Sequence, residues 1–473
     1  MDALDICLCL ATYCLGLLAA FGFELARAPT KSLALECFAV LISLPAISYV
    51  GMLIGGESFD LLLRQVLLEG KPRPLLMALA GLATGISWGT VNAVSARTGR
   101  PDLRISVMTA GAILFVVATG LVLAWDNAFD IERFRASVHD ERYTIQEIAR
   151  TEQAPVRLAL DQVNDRLYFS TYSTGVNGVF SGSIFYIPLS LQSPPPPPIL
   201  AASSPVLYRT FGLACRNGDV FVSRAGHAAH ANQGRIEYDH LGAVTQLKDL
   251  DGDGQLEYFD DVIAGIPAAR GPDTMHQNNG IAFDDAGNLY VNVGSADDRS
   301  IDQHPWSGTV LRLKPGNDGP GVFARGLRNP FGVCVGPGDG LFVTDNDCAE
   351  DPGDEVNFVT EGSHQGHPFN IPGAAKVTGL TEAILIGPDS NYCGVAYRRS
   401  PESPETSGTL FVCDRLRNSI LQLKVELNGG GISITENRVL ARVPSPIDIA
   451  VSEVGELFVA SLGKKRIYRI QPR

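Results

Sequence analysis

Six times after residue 150 the chain repeats one phrase: an apolar alternating run, a turn, and a second run of the Leu-Phe-Val type. Arg157-Leu-Ala-Leu precedes Leu167-Tyr-Phe-Ser, Phe211-Gly-Leu-Ala precedes Val220-Phe-Val-Ser, and Asn279-Gly-Ile-Ala-Phe precedes Leu289-Tyr-Val-Asn. Phe331-Gly-Val-Cys-Val with Leu341-Phe-Val-Thr, Cys393-Gly-Val-Ala-Tyr with Leu410-Phe-Val-Cys, and Ile447-Asp-Ile-Ala-Val with Leu457-Phe-Val-Ala complete the set. Successive side chains of a strand leave on opposite faces, so period-two alternation broken by turns reads as hairpins. A third strand follows most of them: Gly182-Ser-Ile-Phe-Tyr-Ile, Gly234-Arg-Ile-Glu-Tyr, Gly308-Thr-Val-Leu-Arg-Leu, Ser419-Ile-Leu-Gln-Leu and Arg466-Ile-Tyr-Arg-Ile. All-β units of roughly 40 to 60 residues predict a six-bladed β-propeller over residues 143–473. The final unit stops at Ile470, after its third strand, while Tyr143-Thr-Ile-Gln-Glu-Ile-Ala precedes the first unit. That N-terminal strand is expected to complete the last blade and so remove an open sheet edge.

Residues 1–128 have a different chemistry. Ile6 to Phe23, Leu33 to Gly55, Leu75 to Val94 and Ile105 to Trp125 are apolar runs with Glu36 as their one charge. Such lengths predict an α-helical transmembrane region of four helices ahead of the all-β propeller, with the lipid bilayer as a partner. Arg27, Lys31, Arg97, Arg100 and Arg104 outnumber Arg64, Lys71 and Arg73 in the other loop, which places both termini outside the cytoplasm. The expectation is an integral cell membrane protein with its propeller on the periplasmic or extracellular side. There, one disulfide among Cys348, Cys393 and Cys413 is permitted, while Cys215 and Cys334 read as small core residues.

In a propeller the positions before each first strand and after each second strand share one face. That face collects His276 to Asn279, Arg328, Asn329, Tyr208, Arg209, Arg224, Asp297, Asp345, Asn346, Asp347, Arg415 and Lys464. A net charge of −13 excludes a nucleic-acid surface, so arginines gathered at one mouth suit a flat, multiply anionic small molecule. His276 can accept a hydroxyl proton as hydride leaves the same carbon. Elsewhere, Asp249-Leu-Asp-Gly-Asp-Gly-Gln-Leu-Glu-Tyr-Phe-Asp sets Asp249, Asp251 and Asp253 at loop positions one, three and five, with Glu257 at nine and Asp260 at twelve. That spacing wraps hard oxygens around one calcium ion.

Arg325-Gly-Leu-Arg-Asn-Pro-Phe-Gly, Gly340-Leu-Phe-Val-Thr-Asp, Asp354-Glu-Val-Asn-Phe, Gly362-Ser-His-Gln-Gly-His-Pro and the run from His276 to Gly294 together resemble the quinoprotein glucose/sorbosone dehydrogenase family. The resemblance covers roughly residues 143–473. It implies a propeller binding pyrroloquinoline quinone (PQQ) and calcium and oxidising a sugar hydroxyl or aldehyde. His276 would be the general base, Arg328 and Asn329 would contact the quinone, and backbone carbonyls near Asp347 and Cys348 would help hold the cofactor calcium. The chain departs from glucose-oxidising members at Ser295, where they carry aspartate, at His364 and His367, where the family has aromatic residues, and at Ser445-Pro-Ile-Asp, where an arginine pair is missing. These departures argue against glucose itself.

The function expected is a membrane-bound PQQ-dependent oxidoreductase acting on a sugar or related alcohol or aldehyde, with electrons passing to a membrane quinone or a periplasmic carrier. Two alternatives keep the fold: a non-catalytic ligand-binding or sensor propeller, and a calcium-dependent lactonase-type hydrolase.

Overall fold

The alternating runs become strands whose apolar faces turn towards neighbouring sheets, and six such sheets stand around one axis. The computed structural model describes residues 135–473, except 172–173, 177–178, 191–195, 226–227, 233–234, 239–240, 268–275, 296–303, 347–352, 371–376, 389 and 430. From the inner strand outward, blade one is Pro155–Asp161, Arg166–Thr171, Val179–Pro188 and Ile199–Ser204. Blade two is Thr210–Arg216, Asp219–Arg224, Leu241–Lys248 and Tyr258–Pro267. Blade three is Asn278–Phe283, Leu289–Val293, Thr309–Leu313 and Gly321–Arg325, and blade four is Pro330–Val335, Leu341–Asp345, Asp354–Val359 and Leu385–Gly387. Blade five is Tyr392–Arg399, Ser407–Asp414, Ser419–Asn428 and Gly431–Arg442, with Ser137–Val138 added at its outer edge. Blade six is Pro446–Val451, Leu457–Ser461 and Arg466–Pro472, and its outermost strand is Tyr143–Arg150 from the other end of the described chain. The expected closure is thus present, from Tyr143 opposite Pro472 to Arg150 opposite Arg466.

Three expectations need correction. The run Gly234-Arg-Ile-Glu-Tyr supplies no third blade strand: Arg235–Tyr238 pairs with Ala228–Asn232 in a separate hairpin, and Leu241–Lys248 takes the blade position. Both runs alternate, but only the second continues opposite Val220 to Arg224. The fold class is corrected from a propeller behind four membrane helices to an all-β six-bladed propeller. Among the described residues the one helix is the three-residue turn Pro205–Leu207, and none is long and apolar enough to cross a membrane. The four expected spans lie outside the described residues. The integral-membrane placement is corrected for the same reason, because it rested on those spans alone; the apolar residues of the propeller are turned into its own cores.

Those cores lie between neighbouring blades. Phe458, Phe169, Leu457 and Ile148 fill the region joining blades five, six and one, Tyr168, Leu207 and Leu247 join blades one and two, and Phe342, Val356 and Leu423 join blades four and five. Each fully buried side chain of this kind contributes about 1.5–3 kcal/mol. The innermost strands contact one another in a closed ring. Each also has a register shift against its partner near its start, at Pro155/Arg157, Thr210/Gly212, Asn278/Ile281, Pro330/Val333, Tyr392/Val395 and Pro446/Asp448. Bulges of this kind bend a strand and re-aim its backbone. At the bulge, Gly212, Gly280, Gly332 and Gly394 each lie so close to the next inner strand that a Cβ would collide with it. Blades one and six carry Arg157 and Asp448 at that position instead.

Candidate functional site

The bulges bring the heads of the inner strands and the ends of the second strands onto one face. At the head of blade three His276 is buried, and its Nδ1 lies 2.9 Å from the carbonyl oxygen of Ser295. A carbonyl only accepts, so Nδ1 carries the proton, and in the neutral imidazole Nε2 is the nitrogen with a lone pair. Ser295 is fixed in turn by its own N–H, which donates to Arg328 O at 2.7 Å. The residue that departs from the family pattern therefore orients the imidazole through its backbone, which its side-chain identity gives no hint of.

The head of blade four is held by a carboxylate. Both oxygens of buried Asp345 accept backbone N–H groups, from Arg328 at 2.9 Å and Asn329 at 2.6 Å. Burial, and then the neighbouring Glu355, push the Asp345 carboxyl up to about 8, although the two N–H groups and Arg328 favour its charged form. Arg328 is buried and donates from its guanidinium to Asn346 O at 2.9 Å. The Asn329 amide receives Asn279 Nδ2 at 3.2 Å and reaches Asn346 Oδ1 at 3.4 Å.

From Asn346 the bonds run into blade five. Its Nδ2 donates to Asp354 Oδ2 at 2.6 Å and to Tyr392 O at 2.8 Å, and Asp354 Oδ2 also accepts Tyr392 N at 2.8 Å. Asn391 reaches the same carboxylate at 3.4 Å and accepts Arg415 Nε at 2.6 Å through its Oδ1. The structure thus links His276, Arg328, Asn329, Asp345, Asn346 and Arg415 across three blades. Asp354 and Asn391, which no site expectation included, carry the link between blades four and five; the signal was the charged start of Asp354-Glu-Val-Asn-Phe, where a strand end meets the mouth.

Other expected residues fall differently. Arg209 heads blade two, half-buried, with its guanidinium 5.9 Å from the Tyr208 ring centre, and the bonds above do not include it. Asp347 and Cys348 lie outside the described residues. Cys393 and Cys413 are free thiols in the blade-five core, and burial pushes the Cys393 thiol up to about 12. Cys215 and Cys334 pack against neighbouring cores. In the turn after blade four's third strand, Gly366 N donates to His364 Nδ1 at 3.2 Å, His367 is buried, and burial and then Arg325 hold the His364 imidazole below its ordinary value.

The acidic loop is distant in sequence and chemistry. Ligand oxygens of Asp249, Asp251, Asp253 and Glu257 lie within 4.8 Å of one another, while Asp260 sits on the strand Tyr258–Pro267 and is not in that group. The loop is docked on blade one: Leu256 N donates to Ala201 O at 2.8 Å, Gln255 Nε2 to Leu200 O at 2.8 Å, and Arg166 lies 3.6 Å from Asp249.

A family model described as glucose / sorbosone dehydrogenase matches residues 216–469. Among solved structures, an oxidoreductase described as a glucose dehydrogenase, from Thermus thermophilus, is 21% identical, with 70% of this chain and 100% of that one covered and a TM-score of 0.53. The PQQ-bound form of aldose sugar dehydrogenase from Streptomyces coelicolor is 16% identical, with 71% and 99% covered and a TM-score of 0.52. The calcium structure of a Trichoderma reesei carbohydrate-active enzyme of family AA12 is 15% identical, with 72% and 98% covered and a TM-score of 0.53. At these identities the likeness of structure shows the fold. No curated protein matches the chain.

Proposed function

The chain belongs to the glucose/sorbosone dehydrogenase family and is an oxidoreductase, and from that premise we propose that it oxidises a hydroxyl or aldehyde carbon of a sugar or related alcohol at the axial face, with PQQ and calcium as cofactors. The observation that carries this reading is the unbroken hydrogen-bond path from His276 to Arg415. It gathers an imidazole, two guanidinium groups and the amides of Asn329, Asn346 and Asn391 at one mouth of a chain whose net charge is −13.

The donor set fits a flat, multiply anionic quinone. Arg415 is held through Nε, so its outer nitrogens have no partner among the described residues and can meet a carboxylate side by side. Arg328 brings a second, buried fork, and Asn329 a neutral amide between them. When bound, PQQ supplies the two-electron oxidant and calcium polarises its oxygens. His276 accepts the substrate hydroxyl proton at Nε2, and Ser295 O holds the imidazole in the tautomer that leaves that nitrogen basic. Asp345 fixes the peptides of Arg328 and Asn329, one through each of its oxygens. With Ser295 in the aspartate position, the substrate proposed is a sugar other than glucose. The acidic loop would hold a second calcium through Asp249, Asp251, Asp253 and Glu257.

Reconstitution tests the reading. Protein incubated with PQQ and calcium is expected to show a bound quinone absorption band and to reduce a redox dye with at least one sugar of a panel. Failure of the protein to bind the quinone would overturn it.

A further inference from the structure

The axis of the propeller holds one buried ion pair that no step above uses. Arg157, at the bulge of blade one, reaches across the ring: its Nε donates to Phe211 O, one Nη donates to Phe331 O at 2.6 Å, and the other meets Asp448 Oδ1 at 3.3 Å. Its guanidinium lies 3.8 Å from the centre of the Phe331 ring. Asp448, at the bulge of blade six, also accepts Leu158 N at 2.8 Å. Both side chains are buried.

Innermost strands have one edge without a strand partner, so carbonyls facing the axis need other donors. Asn292 caps Gly332 O at 3.1 Å and Thr344 caps Cys393 O, each serving one neighbouring strand. Arg157 serves two, and one of them is Phe331, the second residue after Asn329. Around this point the bulge breaks the regular ladder, and side chains hold the strand head: Asp345 at the N–H groups of Arg328 and Asn329, Asn279 at Pro330 O and Arg157 at Phe331 O.

We propose that Arg157, kept charged and aimed by Asp448, is a positioning residue for the cofactor site: it fixes Phe331 from below and thereby sets where Arg328 and Asn329 stand at the mouth. The inference rests on the proposed quinone site above. A guanidinium is suited to the task because its planar fork serves several acceptors at once, which an ammonium on a flexible stem does not.

The test compares Arg157→Met, Arg157→Lys and the double variant Arg157→Met with Asp448→Asn, each in the full chain. Arg157→Met strands a buried carboxylate and is expected to lower Tm; the double variant removes that charge and is expected to recover most of it. Quinone affinity, read by absorbance titration, is expected to fall about 10- to 100-fold in both, the range seen when the group orienting a direct contact is lost. Arg157→Lys is expected to hold Tm near wild type yet lose affinity, and it keeps the test open if the methionine variants do not fold. Hydrogen exchange of residues 328–333 in cofactor-free protein is expected to quicken in the double variant while residues 289–293 stay protected. Recovery of affinity together with Tm would make the pair a structural clasp only and overturn the proposal. If wild type binds no quinone, the proposed function fails. Unchanged exchange at 328–333 separately overturns the tether.

Discussion

On the proposed reading, a histidine pinned by a backbone carbonyl and the buried Arg328 divide two duties at this mouth. His276→Ala is expected to reduce kcat by about 10² to 10⁴ and to leave quinone affinity nearly intact, the usual scale of general-base catalysis. Arg328→Ala should weaken quinone binding first, by roughly 2–5 kcal/mol, since it removes a desolvated fork from an anion. Single-turnover kinetics and absorbance titration distinguish the two, and an affinity loss in the histidine variant would make it a ligand contact instead. Asp345 supplies a pH test. Its ordinary value is 3.8 and the fold raises it to about 8, so between these the folded protein keeps a proton that the unfolded chain has lost. Its contribution to stability is therefore fully present at about pH 4 and below, and is lost as pH rises through about 8. The metal- and cofactor-free wild type should lose more Tm between about pH 5 and about pH 8.5 than Asp345→Asn, whose side chain does not titrate; equal losses would show that Asp345 is ionised throughout.

The acidic loop is the element whose effect should reach furthest, because it belongs to blade two yet is hydrogen-bonded to the outer strand of blade one. An ion bound only by the folded loop at about 100 times its Kd adds about 2.7 kcal/mol. Asp251→Ala is expected to lose most of that in calcium and almost nothing in chelator, measured by thermal unfolding; equal losses in both would mean that no ion is held. Elements are also where the sequence is most readable. The six Leu-Phe-Val strands and the closing strand at Tyr143 are legible because period-two burial leaves its mark on every residue. The hairpin Ala228–Asn232 with Arg235–Tyr238 is easily misread because alternation reports a strand and not its partner. At the mouth, His276, Arg328 and Asn329 are legible as residues, but their holders are not. Asp345 reads from the sequence as a ligand contact with no sign of the two backbone N–H groups it holds, and Arg157 reads as the start of a strand although its side chain crosses the axis. Side-chain reach across blades has no signature in local spacing.

For the whole molecule, closure by Tyr143–Arg150 joins the last blade to residues more than 300 positions earlier, from Tyr143 opposite Pro472 to Arg150 opposite Arg466. Ile148 is buried in the core shared by blades five, six and one. Ile148→Ala is expected to cost about 2–5 kcal/mol and to lower Tm in calorimetry as one cooperative transition. A small local loss with the main transition unmoved would show that the ring holds without its closing strand. The chain must also decide how many blades to count before it closes, and four of its six axial positions, Gly212, Gly280, Gly332 and Gly394, are alike enough to be mistaken for one another. Arg157 and Asp448 break that degeneracy. Without blade six the Arg157 cation would lose the anion it meets, and an uncompensated buried charge costs several kcal/mol. Opposite charges thus sit on the first and last repeats and meet where the circle shuts.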